Sequence, residues 1–308
     1  MTFGIISMIL VGCSWIIWGF AAGAAGKRNF SMGLIVAASA VIGILFTLPS
    51  IAMQGLPDFS TQNLWLITGL VITGGVFNYM QLQWMGRAMK FGPNGIIWSI
   101  IQLGFICPFA VGIMFFNVPM SWSFAIAVLL VIAALAIFAL AADNQTRGKW
   151  LSFTILSFLA TCSCQSLQNI PSYIKGVENV SGSWRTLAFF AGLLLGFLIY
   201  CIFDRSVRAE AVQLLKNKYI WGIAALIDVI EVAACSLLLY PGMDALAKAG
   251  QGAIATQLMT ASSIVCFEVY AVALLKEKRN VWQIIALLAC LASIAAVSFQ
   301  HVVKLITG

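Results

Sequence analysis

Two carboxylates, Asp228 and Glu231, interrupt an otherwise apolar run, "IAALIDVIEVAACSLLLY" (Ile223–Tyr240). They stand three residues apart, so one helix face carries both. A third acid, Glu268, lies within another apolar run, "ASSIVCFEVYAVALL" (Ala261–Leu275). No lysine or arginine sits inside either run at a similar depth. A charge in such surroundings is costly, and intramembrane acids are usually functional. The chemistry this allows is proton exchange. A carboxyl group facing a wet cavity loses its proton, and facing the other side it gains one. At least one of the three is expected to bind and release a proton near neutral pH. The competing readings are an acid held as structural glue by a neighbouring helix and a carboxylate that pairs with a cationic cargo.

Polar and aromatic residues form stripes at helical spacing. Trp15 and Trp18 share a face, as do Asn78 and Gln81; Asn94, Trp98 and Gln102 follow every four residues; Gln165, Gln168 and Asn169 cluster; and Gln257 lies on the face of Glu268. Amides both donate and accept hydrogen bonds, and flat aromatic faces pack on sugar rings. Trp15, Trp18, Asn78, Gln81, Trp98, Gln102, Gln165, Gln168, Asn169 and Gln257 are therefore the candidate contacts to a polyhydroxylated ligand. For any single amide the plainer reading is interhelical hydrogen bonding.

The elements that hold these groups follow from composition. The 308 residues are 62% hydrophobic and only 9% charged, against about 25% charged in soluble domains. That composition excludes a soluble fold. The apolar runs are long and continuous, which selects helices over a barrel. Breaking the chain at polar clusters gives ten runs, approximately 3–25, 31–53, 63–86, 94–116, 120–142, 150–173, 184–204, 218–240, 250–275 and 280–300. The expected class is an all-α polytopic membrane protein with ten transmembrane helices. Asp228 then lies about 15 Å from Lys218 and Glu268 about 12 Å from Lys276, at ~1.5 Å per residue.

The net charge of +7 does not point to nucleic acid, because the basic residues sit in short loops. The loops after odd-numbered runs hold 13 of the lysines and arginines, and the other side holds 4. The positive-inside rule puts the first set in the cytoplasm and both termini outside, in the cell membrane. Trp65, Trp122, Trp150, Trp184, Trp221 and Trp282 open runs and read as an interfacial belt. The first run lacks a basic leader and a cleavage site and is read as a retained span. The eight cysteines have neither a disulfide framework nor zinc spacing. The one histidine, His301, lies near the C-terminal end, away from where a proton shuttle is expected. Gly19-x-x-x-Gly23 and Gly192-x-x-x-Gly196 are read as close-packing sites between helices.

The chain also resembles itself. "RAMKFGPNG" (Arg87–Gly95) parallels "DALAKAGQG" (Asp244–Gly252), and "VGCSW" (Val11–Trp15) parallels "ATCSC" (Ala160–Cys164). These parallels divide the chain into residues 1–142 and 150–308, five runs each, joined by a polar cytoplasmic linker at 143–149. Five is odd, so the second half would enter the membrane inverted, an arrangement typical of transporters.

Three segments carry a family resemblance: "WGF" (Trp18–Phe20), "GMDALAKAGQGAIATQL" (Gly242–Leu258) and "LLKEKRNVWQ" (Leu274–Gln283). With the five-plus-five layout, the chain resembles the drug/metabolite transporter superfamily. Glu277 matches the acidic turn that follows the ninth span in that family. "GGVFNYMQLQWMGRAMKFG" (Gly74–Gly92) and "ALLKEKRN" (Ala273–Asn280) look more like its sugar-uptake branch, which includes rhamnose–proton symporters. The chain departs from the family in lacking a proline midway along the ninth span and in carrying Glu268 there. The resemblance implies a central cavity lined by early spans of each half and opened alternately to the two sides.

The sequence holds no GxGxxG after a strand, no Walker loop, no HExxH and no nucleophile–base pair, so ATP-driven transport has no support. The expected function is secondary active transport of a small polar metabolite, a sugar or sugar derivative first, coupled to protons through Asp228, Glu231 and Glu268. The expected partners are the cargo, protons and the bilayer, with no cofactor, metal or nucleic acid and with a monomeric or homodimeric state. The alternatives are an exporter of amino acids, nucleosides or organic cations, and a membrane receptor or enzyme that transports nothing.

Overall fold

The computed structural model of the chain describes residues 1–27, 30–117, 122–140 and 147–307. Arg28 and most of the linker at 143–149 lie outside these, and the side chain of His301 lies outside the described set. Among the described residues every regular element is helical. Eight helices are long and apolar enough to cross a membrane: α1 (Thr2–Ala22), α2 (Met32–Gln54), α3 (Leu64–Met89), α4 (Asn94–Phe115), α6 (Lys149–Tyr173), α7 (Gly182–Phe203), α8 (Lys218–Lys248) and α9 (Ala255–Ala273). Two further helices, α5 (Trp122–Leu140) and α10 (Val281–Thr307), have shorter apolar stretches, Trp122–Phe138 and Val281–Ala296. The polar connection expected at 205–217 is itself an amphipathic helix, Arg205–Lys216, with Val207 on its buried side.

The helices pack in two groups. In one, α3 lies against α6 and α7, and α6 against α4. In the other, α1 lies against α8 and α9, and α8 against α2. The groups meet along α2–α7 and α4–α9, while α5 and α10 pair with each other. Absent side chains allow the closest contacts. A Cβ on Gly75 of α3 would sit 2.9 Å from the Gly192 Cα of α7, and one on Gly192 would meet Gly75 at the same distance. With no attraction from water exclusion inside lipid, such backbone proximity lets dispersion hold the pair.

Three helices are broken at mid-length, and each break has a local cause. Pro108 follows Gly104 by four residues, cannot donate to its carbonyl, and α4 narrows to a 3-10 turn at Leu103–Phe105. Pro241 stands in the same relation to Leu237, and α8 widens to a π-helical turn over Ala234–Leu239. The eighth run is expected from its apolar length to end near residue 240, but α8 continues through this proline to Lys248. In α1 the Ser14 hydroxyl donates back to the Val11 carbonyl at 2.8 Å, one residue before the interruption at Trp15.

Side-chain contacts define the two ends of the bundle. At one end Arg87 pairs with Asp204 at 2.9 Å, and the Asn94 amide donates to Glu277 at 2.8 Å. At the other, Asn63 Nδ2 donates to the Lys175 carbonyl at 3.0 Å, and Ser172 donates to Asp244 at 2.9 Å.

Candidate functional site

A cavity lies between the two packing groups. It encloses about 640 Å³ of atom-free space, its open part included. One wall is built from α1, α8 and α9, the other from α3, α4, α6 and α7. The helix breaks described above flank it: Trp15 at the pause in α1, Gln102 beside the 3-10 turn, and Cys235 and Leu239 in the π-helical turn all line it.

Eight of the ten candidate cargo contacts line this space: Trp15, Trp18, Asn78, Gln81, Trp98, Gln102, Gln165 and Gln168. Their mutual bonds are few and long. Gln165 Nε2 donates to Gln102 Oε1 at 3.5 Å, and Asn78 Nδ2 to Gln81 Oε1 at 3.3 Å. Gln165 Oε1 has no partner among the described residues. Amides held this loosely keep donors and acceptors for a ligand. Trp98 is fixed more firmly. Its indole N–H donates to Ser263 Oγ at 2.9 Å, and its ring stacks on Phe267 with centroids 4.5 Å apart.

Asn169 and Gln257 do not line the cavity. Asn169 is buried one turn before Tyr173, where α6 ends. Gln257 is fully buried beside Thr256, whose hydroxyl donates to its Oε1 at 3.3 Å. Both side chains are buried away from the cavity, and Asn169 Oδ1 and Gln257 Nε2 have no partner among the described residues.

The three acids separate into three environments. Glu231 lines the cavity and is the one charged side chain there among the described residues. Trp18 lines the same cavity, Cys235 Sγ lies 3.8 Å from the Glu231 Oε1, and Glu231 Oε2 has no partner among the described residues. Asp228 is 0% exposed and faces α2, where Ser39 Oγ donates to its Oδ1 at 2.5 Å. Glu268 pairs with a cation from outside its own apolar run, Arg279. Arg279 donates to it through Nε at 3.1 Å and Nη2 at 3.0 Å. The turn after α9 folds back and returns Arg279 to the helix that precedes it.

Several lining residues are absent from the candidates that the sequence offers. Cys164 accepts from Gln168 Nε2 at 3.1 Å and from Asn78 Nδ2 at 3.6 Å. Leu82, Phe189, Cys235, Leu239, Met243, Thr256 and Met259 complete the walls. They are apolar or small residues of a kind found throughout the chain, and their types carry no signal. Proline positions are the available clue, since Pro108 and Pro241 mark the breaks beside the cavity.

No protein-family model matches the chain, and no curated protein matches it. A solved structure described only as "Crystal structure of protein" superposes with a TM-score of 0.52 at 13% identity, covering 99% of this chain and 98% of that one. That likeness is one of fold, over the full length of both chains.

Proposed function

We propose that this protein is a secondary transporter of the drug/metabolite transporter type, residing in the cell membrane with both termini on the non-cytoplasmic side. It carries a small polar metabolite, a sugar or sugar derivative before others, and couples that movement to protons through Glu231. The observation that carries the reading is the cavity itself: tryptophans from both packing groups, and loosely held amides from one of them, surround a single carboxylate.

The packing pattern supports two inverted five-helix repeats. Exchanging each of α1–α5 with its counterpart in α6–α10 carries α3–α6 onto α8–α1, α3–α7 onto α8–α2, and α4–α6 onto α9–α1. The pairs α2–α7, α4–α9 and α5–α10 map onto themselves. An internal two-fold of this kind gives one chain two related ways of closing around a central site.

In this mechanism Glu231 holds a proton or a cargo group at Oε2. With the cavity open to the acidic side the carboxyl is protonated; with it open to the other side the proton leaves, and cargo affinity changes with it. Cys235 orients the carboxylate, and the amides set the cargo's position.

A second reading, export of an organic cation, is favoured by one specific feature. Among the described residues no lysine or arginine lines the cavity, while three indole rings and one carboxylate do, and such a box attracts cations. Purified protein in liposomes, with a pH-sensitive dye inside, separates the two. Sugars that move protons support the first reading, and amines that move them support the second. Uptake that ignores an imposed pH gradient removes the proton from both.

A further inference from the structure

Two buried ion clusters stand toward opposite ends of the cavity; the first spans the two packing groups by an ion pair, the second by hydrogen bonds from α4 to its carboxylates. At one end Arg185 of α7 forms a fork with Asp244 of α8. Nη1 donates to Oδ1 at 3.0 Å and Nη2 contacts Oδ2. Ser172, at the end of α6, donates to the same Oδ1 at 2.9 Å. The guanidinium lies over the Tyr240 ring at 4.8 Å, and its side chain is 2% exposed. Every member lies close beyond a cavity-lining residue on its own helix: Ser172 is four past Gln168, Arg185 four before Phe189, and Asp244 next to Met243.

At the other end Arg279 joins Glu268 of α9 and Glu277 of the following turn, the latter at 2.9 Å. Glu277 in turn accepts the first amides of α4, Asn94 at 2.8 Å and Gly95 at 3.2 Å. Ser99 donates to Glu268 at 3.3 Å, one residue beyond the cavity-lining Trp98. The remaining ion pair among the described residues, Arg87–Asp204, is more exposed and joins α3 to α7 within one group.

A buried ion pair adds little net stability, because desolvation offsets most of the attraction. Its free-energy profile suits a seam that must open. Dry, the pair seals the gap with its opposite charges in contact; once water enters, hydration compensates for the lost contact. An apolar seal has no such second state. We propose that the Arg185–Asp244–Ser172 cluster and the Arg279–Glu268–Glu277 cluster are the two closures of the cavity, each opening in turn while the other holds. Both clusters are formed in this structure. This inference rests on the transport reading, but its test does not require transport.

Cys164 and Cys235 line the cavity and report access to it. A membrane-impermeant maleimide is added to one face of vesicles of known orientation, and mass spectrometry measures alkylation of these two thiols. Arg185→Gln with Asp244→Asn raises labelling from the Arg185 face by roughly tenfold or more and leaves the opposite face unchanged or lower. Glu268→Gln with Arg279→Gln does the reverse. A gentler variant guards against misfolding. A Cβ at Gly95 would lie 2.6 Å from Glu268 Oε1 and overlap Arg279 Nη2. Gly95→Ala therefore displaces two flexible side-chain ends and leaves all charges in place, and it raises labelling from the Arg279 face. Labelling that stays flat in a folded variant, or rises equally from both faces, overturns the proposal. Sided labelling in a protein that moves neither sugars nor amines keeps the closures and removes the proposed cargo instead.

Discussion

Asp228 and Glu231 stand three residues apart on α8, yet only Glu231 reaches the cavity; Asp228 is sealed against Ser39 of α2. Three residues turn a helix by about 300°, so the two carboxylates diverge by about 60°. That angle is enough to place one on each side of a packed seam. The same sequence spacing that suggests a paired site therefore separates a cavity group from a buried one.

This separation predicts different outcomes for two isosteric variants. Glu231→Gln removes the titratable group facing the cavity, and proton-coupled uptake in liposomes is lost with the protein still folded. Asp228→Asn keeps an acceptor for Ser39, so uptake persists and stability changes by no more than about 1 kcal/mol. Asp228→Leu strands the Ser39 hydroxyl and costs about 1–3 kcal/mol. Coupling that survives Glu231→Gln but not Asp228→Asn would exchange the roles assigned to the two acids.

Trp98 forms the partition between the cavity and the Arg279 cluster, and its two attachments are separable. Trp98→Phe retains stacking on Phe267 but gives up the bond to Ser263, a loss of about 1 kcal/mol. Trp98→Ala loses the stack as well and costs about 3–5 kcal/mol. Thermal unfolding in detergent orders the variants as wild type, Phe, Ala. Cargo affinity falls in the same order. Equal stability for Phe and Ala would mean that the ring does not support the cavity wall.

The stripes of tryptophan and amide are legible in the sequence because a helix repeats every 3.6 residues, so spacing alone gives a shared face. Spacing does not say which neighbour that face meets. Asn169 shares a stripe with the cavity residues Gln165 and Gln168 and is still buried away from the cavity. Arg185 and Arg279 read as loop charges that orient the chain, since each lies at a helix end. Their partners, Asp244 and Glu268, come from other elements, and that pairing is a property of tertiary folding. Ten runs can be counted because hydrophobic length is local; the grouping of their helices around a cavity is not.

The contact between Gly75 and Gly192 predicts a steep response to size. Gly192→Ala inserts a methyl group against the Ile72 carbonyl and the Gly75 Cα. Overpacking of this kind costs about 1–3 kcal/mol. The melting temperature falls for Gly192→Ala and falls further for Gly192→Leu. A Cβ on Gly222 would meet no atom within 4 Å, so Gly222→Ala serves as the control and leaves the melting temperature unchanged or higher.

Pro241 offers the sharpest contrast between stability and activity. It withholds an N–H from Leu237, and the six-residue π-helical turn at Ala234–Leu239 contains that carbonyl. Proline inside a helix costs about 3 kcal/mol, so Pro241→Ala favours a regular α8. Regularising the turn removes its extra residue and rotates the segment beyond it by about 100°. Met243 then leaves the cavity wall, and Asp244 leaves its fork with Arg185. The variant is expected to melt at a higher temperature than wild type and to bind cargo at least about tenfold more weakly, a loss of about 1.4 kcal/mol. Strain kept at a functional site behaves in this way, because relief of the strain also removes the geometry it maintained. A variant that melts lower, or one that binds and transports as wild type, would show that neighbouring helices rather than the proline hold the turn open.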